Sequence, residues 1–443
     1  MKLWQKSSSV DQAIDQFTVG RDRELDLRLA PHDILGSLAH IRMLAAIGLL
    51  TGSELKQLTA ALQRLYRQVE SGDFRIEEGV EDVHSQVEFF LTGELGDAGK
   101  KIHAGRSRND QVLVDLRLFF RAEAAAIAEG ARQLFDLLLQ LADRHQKVLL
   151  PGYTHLQMAM PSSFGLWFGA YAESLVDDLR QLECTYRIIN QNPLGSAAGY
   201  GSSFPLRRRM TTELLGFDDL AYNVVHAQLG RGKTELFFSF ALAAFGATLG
   251  KLAMDVVLFL NQNFGFISFP EELTTGSSIM PHKKNPDVFE LTRARCNQLQ
   301  ALPQQVALLC TNLPSGYHRD YQLLKEALFP AIDTLKDCLA ILHYALGQVR
   351  VNENILDDPR YRYLFSVEEV NREVLRGTPF REAYRRIGAQ IESGEFQPQQ
   401  QIEHTHEGSI GNLCLEDIEG KMEQVWRQFN FTVGREAIAR LLE

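Results

Sequence analysis

Apolar residues along this chain recur three and four positions apart rather than two apart, the spacing of amphipathic helices. The clearest run is 111–150, QVLVDLRLFFRAEAAAIAEGARQLFDLLLQLADRHQKVLL, in which Gly130 is the one weak point. Similar text fills 162–190, 233–262, 286–309 and 319–350. Prolines are absent between Pro31 and Pro151 and between Pro205 and Pro270. Because proline breaks a helix interior, these gaps favour long helices. Pro303 and Pro330 fall inside the last two segments and predict kinks there. No convincing run of alternating strands is present. The pattern predicts an all-α fold in three parts: an N-terminal helical domain over 1–105, a central bundle of long helices over 106–350, and a small helical C-terminal domain over 351–443. The stretch 236–260 is hydrophobic nearly all round. Lys251 and Asp255 interrupt it and leave its uncharged part short for a membrane span. It is predicted as a helix buried among other helices. The polar, glycine-bearing segment 393–411 reads as a loop.

Composition narrows the function classes. The chain has 443 residues, 45% of them hydrophobic, enough for a large core. Its net charge of -10 argues against a general nucleic-acid or membrane-surface binder. Cys184, Cys296, Cys310, Cys338 and Cys414 are widely spaced and odd in number. This pattern predicts reduced thiols in a cytoplasmic protein rather than a disulfide framework or a zinc site. The N-terminal text MKLWQKSSSVDQ lacks the apolar run of a signal peptide.

Three tempting motifs do not hold. LGRGKT (229–234) suggests a phosphate loop, but position 227 is Ala where that pattern needs Gly, and no strand precedes it. PLGSAAGYG (193–201) follows a helix, so a tight loop that brings backbone close to another group is the better reading. His404 and His406 sit in the polar text HTHEGSIGN without further ligands, which favours a solvated loop over a metal site.

The segment that best suggests chemistry is GSSIMPHKKNP (276–286). Glycine allows close backbone approach. Pro286 suits a first helical turn, which places Asn285 near the N-cap and the positive end of the helix dipole. A loop bearing Ser, Lys and Asn at a helix start is suited to hold a developing carboxylate dianion. An ordinary polar surface loop is the other reading of the same residues.

GSSIMPHKKNPD is similar to the shared loop of the fumarase/aspartase superfamily. Three further blocks are similar to the argininosuccinate lyases within it: EDVHSQVE (81–88) with GRSRNDQV (105–112), PGYTHLQ (151–157) and SGYHRDYQLLKE (315–326). The matches run in the family's order from about Asp33 to Glu326. The resemblance implies a homotetramer with a central twenty-helix bundle, and a β-elimination that releases fumarate and leaves arginine. It implies Ser277 as the base that removes a proton beside a carboxylate, with Lys283 and Asn285 holding the substrate. It implies His155 as the general acid for the leaving nitrogen, oriented by Glu290. Ser37, Arg108, Asn109 and Thr154 are implied at the succinate end, and Tyr317, Gln322 and Lys325 at the arginine end. No metal, cofactor, nucleic acid or membrane is expected, only a small-molecule substrate and self-association.

This sequence departs from the family pattern at His282, Met158 and Met160 and in the segment HTHEGSIGN. The alternatives are another fumarate-releasing lyase, such as an adenylosuccinate lyase, and a crystallin-like structural protein on the same scaffold. One inference is geometric. Asn109 precedes the helix predicted over 111–150 and His155 follows it; such a helix spans roughly 60 Å. The two residues therefore meet around one small substrate only if different chains supply them.

Overall fold

The computed structural model of the chain describes residues 12–276, 278–402 and 404–443. Five long helices dominate: Arg108–Arg144, Phe164–Ile189, Lys233–Leu260, Asp287–Leu309 and Leu323–Leu346. Their starts follow from local chemistry. The Ser107 side chain accepts from the backbone of the first turn of Arg108–Arg144, while the Asp110 carboxylate takes the Ser107 N–H at 2.8 Å, a capping box. Ser163 caps Phe164–Ile189 through the Leu166 N–H at 3.1 Å. The helix Arg108–Arg144 runs through Gly130 for 37 residues without a break. It stops short of position 150 because the chain turns into a strand at Leu149. Helices Asp287–Leu309 and Leu323–Leu346 continue through Pro303 and Pro330.

Packing among these helices is aromatic and close. Phe119 lies 4.4 Å from Phe329, and Phe120 stacks on Phe238 at 5.0 Å between ring centroids. Lys233–Leu260 approaches Asp287–Leu309 most closely at Gly246, where a Cβ would stand 2.9 Å from the Cys296 carbonyl oxygen. Any larger residue there forces the two backbones apart.

Two expectations need correction. Lys233–Leu260 is only half enclosed within one chain: Phe240 and Met254 are 46% and 44% exposed. By length and composition it is also apolar enough to cross a membrane. Its all-round apolar character is therefore not explained by burial inside the single chain. Neighbouring bundle helices likewise expose Leu291, Leu308 and Tyr344. The second correction concerns strands. Residues Leu149–Thr154 and Gln157–Ser163 pair as an antiparallel hairpin, alongside several two-residue pairings elsewhere. Pro151 and a register shift between Pro151 and Tyr153 break the alternation that would have shown the hairpin in the sequence.

Towards the C-terminus, helices Ser366–Leu375 and Phe380–Glu392 enclose a small core of their own, made by Val370, Ala383, Ile387 and Phe396. Helix Leu415–Trp426 then returns to pack on Phe164–Ile189, and Phe431–Leu442 packs on Ala30–Ala46. Residues 395–410 are free of helix where described, and His404 Nε2 lies 3.1 Å from the Glu368 carboxylate, which accepts. All five cysteines are free thiols.

Candidate active site

The N-terminal end of Arg108–Arg144 opens on a cleft of ≈ 210 Å³. Arg108, Asn109, Tyr317, Gln322 and Lys325 line it, so five of the residues implied by resemblance converge here. They come from two stretches far apart in sequence: the helix start that follows the GRS turn, and the turn into Leu323–Leu346 together with the first turn of that helix. Asn109 stands in the first helical turn, where unpaired N–H groups and the dipole favour an anion. Tyr317 is exposed at the mouth. The Gln322 amide donates to the carbonyls of Thr18 and Val19 at 3.0 and 2.9 Å.

Charges in the cleft are paired. Arg108 reaches Glu81 at 3.1 Å and Asp82 at 3.2 Å, and donates to Ser85 at 2.8 Å. Arg319 reaches the other oxygen of Glu81 at 2.8 Å. Lys325 is buried and lies 2.7 Å from Asp22 and 2.5 Å from Asp26. His84 forms part of the floor. Its Nδ1 sits 2.8 Å from Asp33 and 3.5 Å from Asp115. Burial would lower its pKa, but the charge and hydrogen bond of Asp33, with Asp115 and Asp82, raise it to about 10. The imidazole is therefore a cation at neutral pH. The donor atoms of Asp33, His84 and Asp115 lie within 4.8 Å of one another, a spacing that would also admit a metal ion.

Ser37 is buried and accepts from Arg106 at 2.9 Å; it does not line the cleft. The loop 193–201 does bring backbone close to another group. The N–H groups of Gly195 and Ala197 donate to the Asp110 carboxylate at 3.0 and 2.9 Å, which ties that loop to the helix start.

The remaining residues stand elsewhere. Thr154 and His155 are exposed on the hairpin, beyond the C-terminal end of Arg108–Arg144. His155 forms the two-residue hairpin tip with Leu156. Both residues have positive φ, 54° and 56°, between paired Thr154 and Gln157. Such a tip normally takes Asn or Gly, so a His-Leu pair there stores backbone strain. Met158 and Met160 are exposed on the second strand.

In the loop, Thr275–Gly276 pairs with Lys284–Asn285 as a short stem. Asn285 is not the helix N-cap. Pro286 holds that position, and the Asn285 amide reaches back to Thr275 Oγ1 at 3.4 Å. Lys283 is exposed, while Lys284 pairs with Glu271 at 2.6 Å. Glu290 is exposed in the first turn of Asp287–Leu309, and no hydrogen bond joins it to His155 among the described residues. Ser277 lies outside the described residues.

Sequence reasoning missed Asp22, Asp26, His84, Arg231 and Arg319 in the cleft. Asp22 and Asp26 share a helix face at a spacing of four, a readable signal. Arg231, which also lines the cleft, belongs to the dismissed LGRGKT segment and pairs with Glu235 at 2.9 Å.

The sequence profile of the lyase family matches residues 5–301. An argininosuccinate lyase of Bacteroides thetaiotaomicron is 62% identical over 441 residues, covering 100% of this chain and 99% of that protein. An argininosuccinate lyase of Parabacteroides distasonis is also 62% identical over the same share of each chain. Among solved structures, an EDDS lyase in complex with formate superposes with a TM-score of 0.78 at 21% identity, covering 98% of this chain and 94% of that one. The fold is thus that of a lyase. The chain belongs to the lyase family, among the argininosuccinate lyases.

Proposed function

We propose that this chain catalyses the β-elimination of argininosuccinate to arginine and fumarate. The observation that carries this reading is the convergence of Arg108, Asn109, Tyr317, Gln322 and Lys325 in one charged cleft. In the reaction a base takes a proton from the carbon beside a carboxylate. The C–H electrons become the new double bond, and the C–N bond to the guanidino group breaks. Ser277 is the base. Lys283 and Asn285 hold the carboxylate as its charge develops, a stabilisation that matters most where water is excluded. His155 gives a proton to the leaving nitrogen and Glu290 orients it; such positioned transfer contributes roughly 10²–10⁴-fold. Asn109, Arg108 and Thr154 receive the succinate end. Tyr317, Gln322 and Lys325 receive the arginine end.

The active enzyme is a homotetramer whose sites are shared between chains. The exposed apolar residues of the bundle, Phe240, Met254, Leu291, Leu308 and Tyr344, support this assembly. Five long helices per chain give twenty in four. The three-part division at 105 and 350 belongs to the same reading. The test is ultraviolet absorbance of fumarate, with argininosuccinate and adenylosuccinate offered separately. Fumarate from the first alone is expected; fumarate from the second alone would transfer the chain to a different substrate.

A further inference from the structure

Asp22 and Asp26 give one end of the cleft a negative excess. Lys325 faces both carboxylates, at 2.7 and 2.5 Å. The other cations nearby have acidic partners of their own: Arg231 has Glu235, Arg319 has Glu81, and Arg108 has Glu81 and Asp82. Two carboxylates against one ammonium leave a negative charge that Lys325 alone does not offset. Burial holds the Asp22 carboxyl up at about 6 despite the pull of Lys325, as expected of an under-compensated carboxylate. Asp22 is also the more open of the two, with its side chain 16% exposed against 4% for Asp26. Asp26 is further engaged by the Val83 N–H at 3.4 Å.

A partly accessible carboxylate joined to a lysine is the complement of an amino-acid zwitterion. The ligand's carboxylate sits against the ammonium and its ammonium against the carboxylate, so that four charges alternate. We propose that Asp22 receives the α-ammonium group at the arginine end of the substrate, and that this contact selects substrates with a free amino group over Nα-acylated ones. The proposal rests on the assignment of this cleft to the arginine end. Acylation removes the positive charge and sets a neutral amide against a largely buried carboxylate. Losing one partner of such a pair weakens binding by about 30-fold or more.

The test uses the full-length enzyme and its fumarate-release assay, with arginine and Nα-acetylarginine as product-side inhibitors. Arginine is expected to inhibit at least about 30-fold more tightly than its acetylated form. In Asp22→Asn that ratio should fall to within about threefold. The KM for argininosuccinate should rise about tenfold with a smaller change in kcat, because a uniform binding contact is lost. Asp22→Glu, which keeps the charge, should retain discrimination. A wild-type enzyme that releases fumarate from argininosuccinate but is inhibited equally by both compounds overturns the Asp22 assignment alone, and needs no variant to fold. Unchanged discrimination in Asp22→Asn does the same. A wild type that releases no fumarate from argininosuccinate overturns the functional reading beneath it.

Discussion

Asn109 and His155 stand at opposite ends of one unbroken helix, Arg108–Arg144. From Asn109 to the end of that helix the rise is about 53 Å. The stretch from Arg144 to His155, even if fully extended back along the helix, recovers about 37 Å. A gap of about 16 Å therefore survives the most generous path. A partner chain running antiparallel closes it, as dihedral symmetry provides. Asn109→Ala and His155→Ala are each expected to be inactive. Unfolded and refolded together, they should form hybrids in which roughly a quarter of the sites draw both intact residues from different chains. Activity in verified hybrids no higher than in the separate parents would remove the shared-site arrangement.

Ser277→Ala should abolish elimination while leaving assembly and substrate binding in place, because one small side chain is exchanged for a smaller one. Stopped turnover with retained binding of argininosuccinate, measured by calorimetry, is the expected pair of results. Near-normal turnover would take the role of base away from Ser277 and leave His155 as the next candidate.

The long helices were legible because their signals are local: a 3.6-residue period, proline spacing, and caps such as Ser107. The hairpin was not. Pro151 disrupts its first strand, and its tip is His155-Leu156 rather than an Asn-Gly pair. The division of the cleft was half legible. Arg108, Asn109, Tyr317, Gln322 and Lys325 sit in recognisable blocks, whereas Asp22 and Asp26 gain meaning only from Lys325, which lies about 300 residues away in sequence. The helix Lys233–Leu260 shows a further limit, since apolar character does not say whether its own chain or another covers it.

The loop between the Thr275–Gly276 and Lys284–Asn285 stem should close over bound substrate. Ile279 and Met280 are exposed apolar residues on it, and Lys283 extends into solvent. Closure would exclude water and bring Lys283 to the reacting carboxylate. Hydrogen exchange over residues 278–284 is expected to slow when a non-reacting analogue is added. Equal exchange with and without the analogue would count against a lid.

His84 is expected to stabilise the fold in a pH-dependent way. Its imidazolium is buried between Asp33 and Asp115, and their attraction outweighs burial to raise its pKa from 6.5 to about 10. A basic group raised on folding contributes fully below its unfolded pKa. That contribution is lost as pH rises through the folded value. The window is therefore pH 6.5 to 10, with stabilisation greatest at the acidic end. His84→Gln keeps similar bulk but cannot carry the charge, and it leaves the buried Asp33 carboxylate without its closest cation, beside an Asp115 carboxyl that burial and Asp33 already push well above the usual carboxylate range. Breaking a buried pair in this way costs about 3–5 kcal/mol. Urea denaturation of wild type and variant at pH 6.5, 8 and 10 separates the electrostatic role from simple packing. The difference in midpoint should be largest at pH 6.5 and narrow steadily towards pH 10. A difference constant across that range would mean that His84 acts by shape alone, and that the cleft floor is held by packing rather than by charge.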